Sequence, residues 1–472
     1  MIESFIYLSP LLVLLVGLML FSATEFENDE QMRCFKICRN ILSLSLFLAV
    51  IFYNRPMITG LTSANKFTLV FQIITYTSAL AVLYLSRKWF SNMKISGHKY
   101  CYCLITSVLA ADLLIISHNI LLTLGSSLLL LFSNFLMMKN AENKKDLSIN
   151  VRVYLISSIC FVTLMCIAAF LLYYLSNSFD YTAILAYLDT QQQDAITFTA
   201  SAMFILGFIF MIGLAPMHFC LTETLGKVML PVFAYFMLVP TAAYWAGFIR
   251  LNMKMLSPLI NEFHLFYITI ALLSVAVGAI GTCSGQNIRK IMAYSAVYQW
   301  GIIFLMLQYF TPDSADAAFV CLILYLLAMY GICVCLFSLK IKGEYLFMLN
   351  EFSGASTKRP YVSALFTVFL FSLLGFPPLP GFLSIFSVLN NLSMHGHYYQ
   401  IVYLLTMMFF IAYAYLQIVK TFYFETKQSA FDRADWGIYA LLCIQVVFMF
   451  LIVLKPHYLL ENLNFMMEAA LG

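Results

Sequence analysis

Long apolar runs separated by short polar interludes fill this chain from end to end, and the runs are continuous rather than alternating. A hydrocarbon layer about 30 Å thick needs about 20 apolar residues per helical crossing. Runs of that length predict about fourteen transmembrane helices, centred near residues 13, 45, 76, 109, 128, 164, 204, 240, 273, 300, 329, 369, 411 and 445, the twelfth resuming after an interruption and reaching about 394. Continuous runs exclude an outer-membrane barrel, whose strands alternate. The expected fold is therefore all-α and polytopic, one membrane domain over residues 1–472 with no soluble module or long linker.

Two runs carry helix-breaking cores: Gly213-Leu214-Ala215-Pro216-Met217-His218, and Gly375-Phe376-Pro377-Pro378-Leu379-Pro380-Gly381-Phe382. Lipid does not tolerate freed backbone groups, so such breaks belong where protein or a water-lined cavity surrounds them. Paired broken helices, the seventh and the twelfth, predict two five-helix units, residues 100–252 (helices 4 to 8) and 263–425 (helices 9 to 13). An odd number of helices per unit inverts the second relative to the first.

Composition sharpens the class. The chain is 62% hydrophobic and 10% charged, with a mean hydropathy of +0.90, whereas soluble domains carry roughly 25% charged residues. The first run passes directly into the acidic stretch at residues 25–30 without a basic leader or a small-residue cleavage site, so it reads as a retained helix. A chain this rich in Phe, Tyr and Met is expected to be inserted where it is made, in a mitochondrial inner membrane or, alternatively, a bacterial plasma membrane. All of the 26 basic residues except Arg55, Lys66, Arg250, Lys254 and Lys455 fall in loops that follow odd-numbered helices. That asymmetry places odd loops on the matrix or cytoplasmic side and both termini on the intermembrane-space or periplasmic side.

The 12 cysteines lie mostly inside apolar runs, and the closest pairs (Cys34 and Cys38, Cys101 and Cys103, Cys333 and Cys335) lack metal-site spacing, so they read as small hydrophobes. Tyr173-Tyr174, Tyr244-Trp245 and Tyr398-Tyr399 read as interfacial belts. No Gly-rich nucleotide loop, metal constellation or nucleophile triad is present, so no cofactor and no nucleic-acid partner is expected.

Three motifs stand in order: Ala215-Pro216-Met217-His218-Phe219-Cys220-Leu221-Thr222-Glu223, then Arg289-Lys290-Ile291-Met292-Ala293-Tyr294-Ser295-Ala296, then the Gly375 to Phe382 break, preceded by Gly354 and Pro360. Over roughly residues 100 to 425 the chain resembles the antiporter-like membrane subunits of respiratory complex I, and most closely the NADH dehydrogenase subunit 2 type, the bacterial N-type subunit. The resemblance implies a membrane-arm core subunit of NADH:ubiquinone oxidoreductase, with redox and quinone chemistry on other chains. It implies as partners the neighbouring antiporter-like and small membrane subunits, accessory subunits and lipids such as cardiolipin.

The family's proton path uses a glutamate in helix five, lysines in helices seven and eight, and another after the helix-twelve break. Alignment on the motifs puts Ser127, Met211, Thr241 and Ile385 at those positions. Of 22 acidic residues only Asp112 lies in mid-span, near the centre of the fourth helix. Buried ionisable groups are costly and usually functional, so their replacement implies a translocation lost or weakened and a largely structural role. Two alternatives stay open. One is an active path of waters and hydroxyls through Asp112, His118, Ser127, His218, Glu223, Thr241 and Ser384, with Asp112 or His218 titrating. The other is a subunit of a multisubunit cation/proton antiporter. For Asp112 a packing role stands beside the carrier role, and for His118 a solvated imidazole at the membrane surface. Glu223 reads as a helix cap or ion-pair member, and Pro216, Pro377, Pro378 and Pro380 as the architecture of the breaks.

Overall fold

The computed structural model describes residues 8–24, 31–52, 57–58, 61–93, 95, 97–140, 149–190, 195–309, 311–425, 431–432 and 436–455. The acidic stretch at 25–30, the basic Arg55, Lys94, Lys144, Lys145, Lys427 and Arg433, and both chain termini lie outside the described residues.

Among the described residues, seventeen α-helices of seven residues or more carry the fold: α1 (Ser9–Ala23), α2 (Gln31–Ile51), α3 (Lys66–Met93), α4 (His98–Ile116), α5 (Ile120–Asn140), α6 (Ile149–Ser176), α7 (Tyr181–Thr190), α8 (Ala195–Ile212), α9 (Phe219–Leu225), α10 (Leu230–Lys254), α11 (Ile260–Cys283), α12 (Ile288–Met306), α13 (Pro312–Ser338), α14 (Pro360–Leu374), α15 (Gly381–Met394), α16 (Tyr398–Tyr423) and α17 (Trp436–Leu454). Among the described residues, eleven helical segments are long and apolar enough to cross a membrane. Counting also the shorter α1, the less apolar α12 and the pair α14 and α15 gives fourteen helical segments at the positions of the fourteen expected runs. The breaks fall where the sequence places them, between α8 and α9 and between α14 and α15.

Two small antiparallel hairpins, β1 (Met57–Ile58) with β2 (Ser63–Ala64) and β3 (Lys340–Ile341) with β4 (Glu344–Tyr345), tie off loops. Isolated bridges Thr62 to Ser117 and Asn119 to Asp180 extend the first hairpin's end of the molecule, and Asn287 to Met348 and Ile341 to Phe431 do the same for the second.

The chain divides into two compact units. The first contains Met1–Gly213 and Pro231–Glu262; α4 packs on α5, α6 on α8, and α2 on α1 and α3. The second contains Leu214–Leu230 and Phe263–Met467, with α13 packed against α12, α14, α15 and α17. α10 is buried along its whole apolar window. It contains Pro240, which supplies no N–H to the carbonyl four residues back. That carbonyl, on Phe236, is taken by the Thr241 hydroxyl at 2.9 Å.

Burial corrects one reading of the aromatic pairs. Tyr174, Tyr398 and Tyr399 are exposed as a belt requires, but Tyr244 and Trp245 are buried. Both sit on α10, whose surroundings are protein, and hydropathy alone does not separate a ring facing protein from one facing lipid headgroups.

Candidate functional site

The first break begins at Gly213, whose φ of +89° ends α8. The freed Ala215 N–H donates to Ser274 Oγ on α11 at 3.0 Å, so the unwound turn is pinned by a hydroxyl. His218 opens α9, where its carbonyl accepts from Leu221 and Thr222, and its half-buried ring stands 5.9 Å from that of Tyr294. Glu223 on α9 pairs with Lys290 at 2.5 Å. The Asn287 side chain caps α12 by accepting from the Arg289 N–H at 3.0 Å and donates to the Gly226 carbonyl at 2.8 Å. Buried Arg289 donates to the Val228 carbonyl and lies 3.9 Å over the Phe347 ring. The basic motif at the start of α12 thus clamps the segment that follows the first break, a link that spacing along the chain does not reveal.

The second break is set by Gly375, with φ +83°. Its N–H returns to Ser372 O and the Phe376 N–H to Phe371 O, both at 3.0 Å, a left-handed helix end of the kind glycine favours. The chain then reverses so closely that a Cβ on Gly381 would stand 1.6 Å from the Ser372 carbonyl oxygen. Gln299 on α12 donates Nε2 to the Leu373 carbonyl at 2.6 Å. Gln299, Cys321, Tyr325, Ser372, Gly381 and Ser384 line a cavity of about 10 Å³, room for about one water. The Ser372 hydroxyl is buried there without a protein partner.

At the four positions where charged carriers are expected from the sequence resemblance, each side chain is occupied locally. Ser127 Oγ donates to the carbonyl of Leu124 in its own helix at 2.9 Å. Met211 is buried in the last turn of α8. Thr241 serves the carbonyl that Pro240 leaves free. Ile385 packs its Cγ1 against Gly375, within 2.4 Å of where a Cβ would be.

Asp112 is 1% exposed and accepts from Gln72 Nε2 of α3 at 2.6 Å. Its place is corrected: it lies four residues from the C-terminal end of α4, not near the centre. The partner is a neutral amide rather than a cation. His118 is also corrected. It does sit between α4 and α5, but it is 5% exposed rather than solvated, with its ring 5.6 Å from that of Tyr181 and its backbone N–H on Leu61 O. Burial, then the Arg250 and Lys254 charges, holds the His118 imidazole below its ordinary value against the opposing pull of Asp180. Arg250 reaches the Ser63 and Ser117 carbonyls at 3.3 and 3.2 Å.

A buried network escaped sequence reasoning. Asn134 of α5 donates Nδ2 to Tyr244 Oη at 2.9 Å and accepts from Tyr235 Oη at 2.7 Å. Asn134 stands seven residues beyond Ser127, two helical turns along the same face. That spacing was the available signal. Among the described residues no group of three or more His, Cys, Asp or Glu is arranged to hold a metal. What these sites offer chemically is neutral hydrogen bonding at the second break and, beside the first, the Glu223–Lys290 ion pair and the Arg289 guanidinium.

Residues 117–411 match the family described as NADH:quinone oxidoreductase/Mrp antiporter, TM. NADH-quinone oxidoreductase subunit N of Pelagibacter ubique is 24% identical over 443 residues, covering 91% of this chain and 90% of that protein. A chain of respiratory complex I from Thermus thermophilus, solved with bound Aureothin, superposes with a TM-score of 0.81 at 19% identity, covering 98% of this chain and all of that one. A chain of the Mrp complex from Dietzia sp. gives a TM-score of 0.84 at 15% identity with both chains fully covered.

Proposed function

We infer that the chain, which belongs to the NADH:quinone oxidoreductase/Mrp antiporter transmembrane family, serves as an antiporter-like membrane-arm subunit of a respiratory NADH-quinone oxidoreductase, the role named for its bacterial relatives. Oxidation of NADH and reduction of quinone belong to other chains of the assembly. Its partners are then the neighbouring membrane subunits, with accessory subunits and anionic lipids such as cardiolipin at the outer faces. The relatives named are bacterial, which favours a plasma membrane; the mitochondrial inner membrane expected from composition draws no support from them. The basic-residue asymmetry supports loops after odd-numbered helices on the cytoplasmic side and both termini on the other.

Within that assembly the chain's own proton translocation is lost or weakened, and its contribution is largely structural. One observation carries this reading: Ser127, Met211, Thr241 and Ile385 stand where charged carriers are expected, each engaged in backbone bonding or packing. A proton held without a compensating group in an apolar interior costs several kcal/mol.

The polar cavity at the second break and the Asp112 to Gln72 contact favour a second reading, an active path rerouted through water and neutral groups. The Mrp fold likeness keeps a cation/proton antiporter subunit as a third. The deciding measurement is the proton-to-electron ratio of the intact assembly in proteoliposomes, for the natural chain and for Asp112→Asn. A ratio below that of an assembly with every carrier present, unchanged by Asp112→Asn, supports the structural role. A full ratio that drops in the variant supports rerouting, and absence of NADH-driven transport with sodium-proton exchange retained supports the antiporter.

A further inference from the structure

Three of the chain's seven histidines gather at the far end of α15 from its helix break. His264 lies in the second turn of α11, and His395 and His397 flank Gly396 in the link from α15 to α16. Their rings surround Tyr309: His395 is stacked at 4.0 Å, His397 at 5.5 Å, and His264 stands 6.0 Å away. His264 and His397 are 6.1 Å apart, centroid to centroid. These imidazoles take no part in the helix breaks or in the Asp112 contact.

The donor set has a definite chemistry. Imidazole nitrogens suit zinc, copper and nickel, whereas magnesium and calcium select oxygen. With metal to nitrogen bonds of about 2.0–2.1 Å, two rings sharing one ion stand roughly 5–6 Å apart, close to the separation of His264 and His397. His395 Nδ1 bonds the Asn391 carbonyl at 2.9 Å. A carbonyl only accepts, so Nδ1 carries the proton and Nε2 keeps the lone pair, the arrangement by which second-shell carbonyls prepare metal-binding histidines. His395 is exposed and His397 and His264 half-buried, so an aqueous ion reaches them without crossing apolar protein. Gly396, between the two loop histidines, has φ +73° and open space around it, which leaves the turn free to adjust.

We propose that His264 and His397 bind a zinc-class divalent cation, with water and His395 completing its shell. As the side chains stand, no three donors meet at one point, because His395 lies flat on Tyr309. Binding therefore turns that one exposed ring, a motion of picoseconds to nanoseconds for a surface side chain.

The test is calorimetric titration of the purified assembly with zinc chloride and, separately, magnesium chloride. Against the double variant His264→Gln/His397→Gln, the natural chain is expected to show one further zinc equivalent, bound at micromolar zinc or below and lost in the variant, with no magnesium response. Equal zinc stoichiometry and affinity in the double variant overturns the site, and so does binding seen only at millimolar zinc. Should the double variant fail to assemble, His395→Ala changes one exposed side chain whose other contacts are the Tyr309 ring and the Asn391 carbonyl. Weaker zinc binding there supports the shared site, and unchanged binding overturns it.

Discussion

Replacing Asn134 with leucine removes both polar atoms of one side chain and strands two phenols. Tyr235 loses its acceptor at 2.7 Å and Tyr244 its donor at 2.9 Å, and both tyrosines are buried. A buried group deprived of its partner costs about 1–3 kcal/mol. In membranes the measured worth of such a bond is lower, averaging about 0.6 and reaching about 1.7 kcal/mol. Two bonds therefore give a destabilisation of about 1–3 kcal/mol for Asn134→Leu. The assay heats the detergent-solubilised assembly and follows release of this chain, whose midpoint falls in the variant. The triple variant Asn134→Leu/Tyr235→Phe/Tyr244→Phe recovers most of the loss, because replacing both partners with apolar groups leaves nothing unpaired. A triple variant no more stable than the single one refutes the argument and assigns the loss to leucine's shape.

Three further outcomes follow from the same geometry. Thr241→Val leaves the Phe236 carbonyl unpaired and costs about 1 kcal/mol, and adding Pro240→Ala, which returns an N–H to that carbonyl, restores the release midpoint. Gly381→Ala places a Cβ against backbone at the second break, so the chain is lost from the assembly on native gels while Gly125→Ala, in α5 with open space around it, is retained. For His118 the folded-state value lies below the unfolded one of about 6.5, so protonation favours unfolding. Stability is complete above about 6.5 and declines as pH falls toward the folded value; His118→Gln flattens that acid limb in a pH series of melting midpoints.

The crossings and both breaks were legible because they depend on local chemistry: run length for a helix, Gly and Pro for its interruption. The resemblance supplied the four expected carrier positions. Contacts were not legible. Gln72 is 40 residues from Asp112 and Tyr235 is 101 from Asn134, and the apolar runs do not say which helices pack together. His118 was misjudged for the same reason: a histidine between two apolar runs looks solvated until the Leu61 and Tyr181 segments are seen covering it. The role of Asn287, Arg289 and Lys290 in clamping the first break exists only in three dimensions, since the residues they hold lie some sixty positions earlier.

The seating of Ile385 on Gly375 has an engineering corollary. A single Ile385→Lys change delivers an amine to a turn whose neighbouring space admits about one water. An ammonium there is short of the solvation it needs, so a titratable group enters this break only together with substitutions that enlarge the space around it.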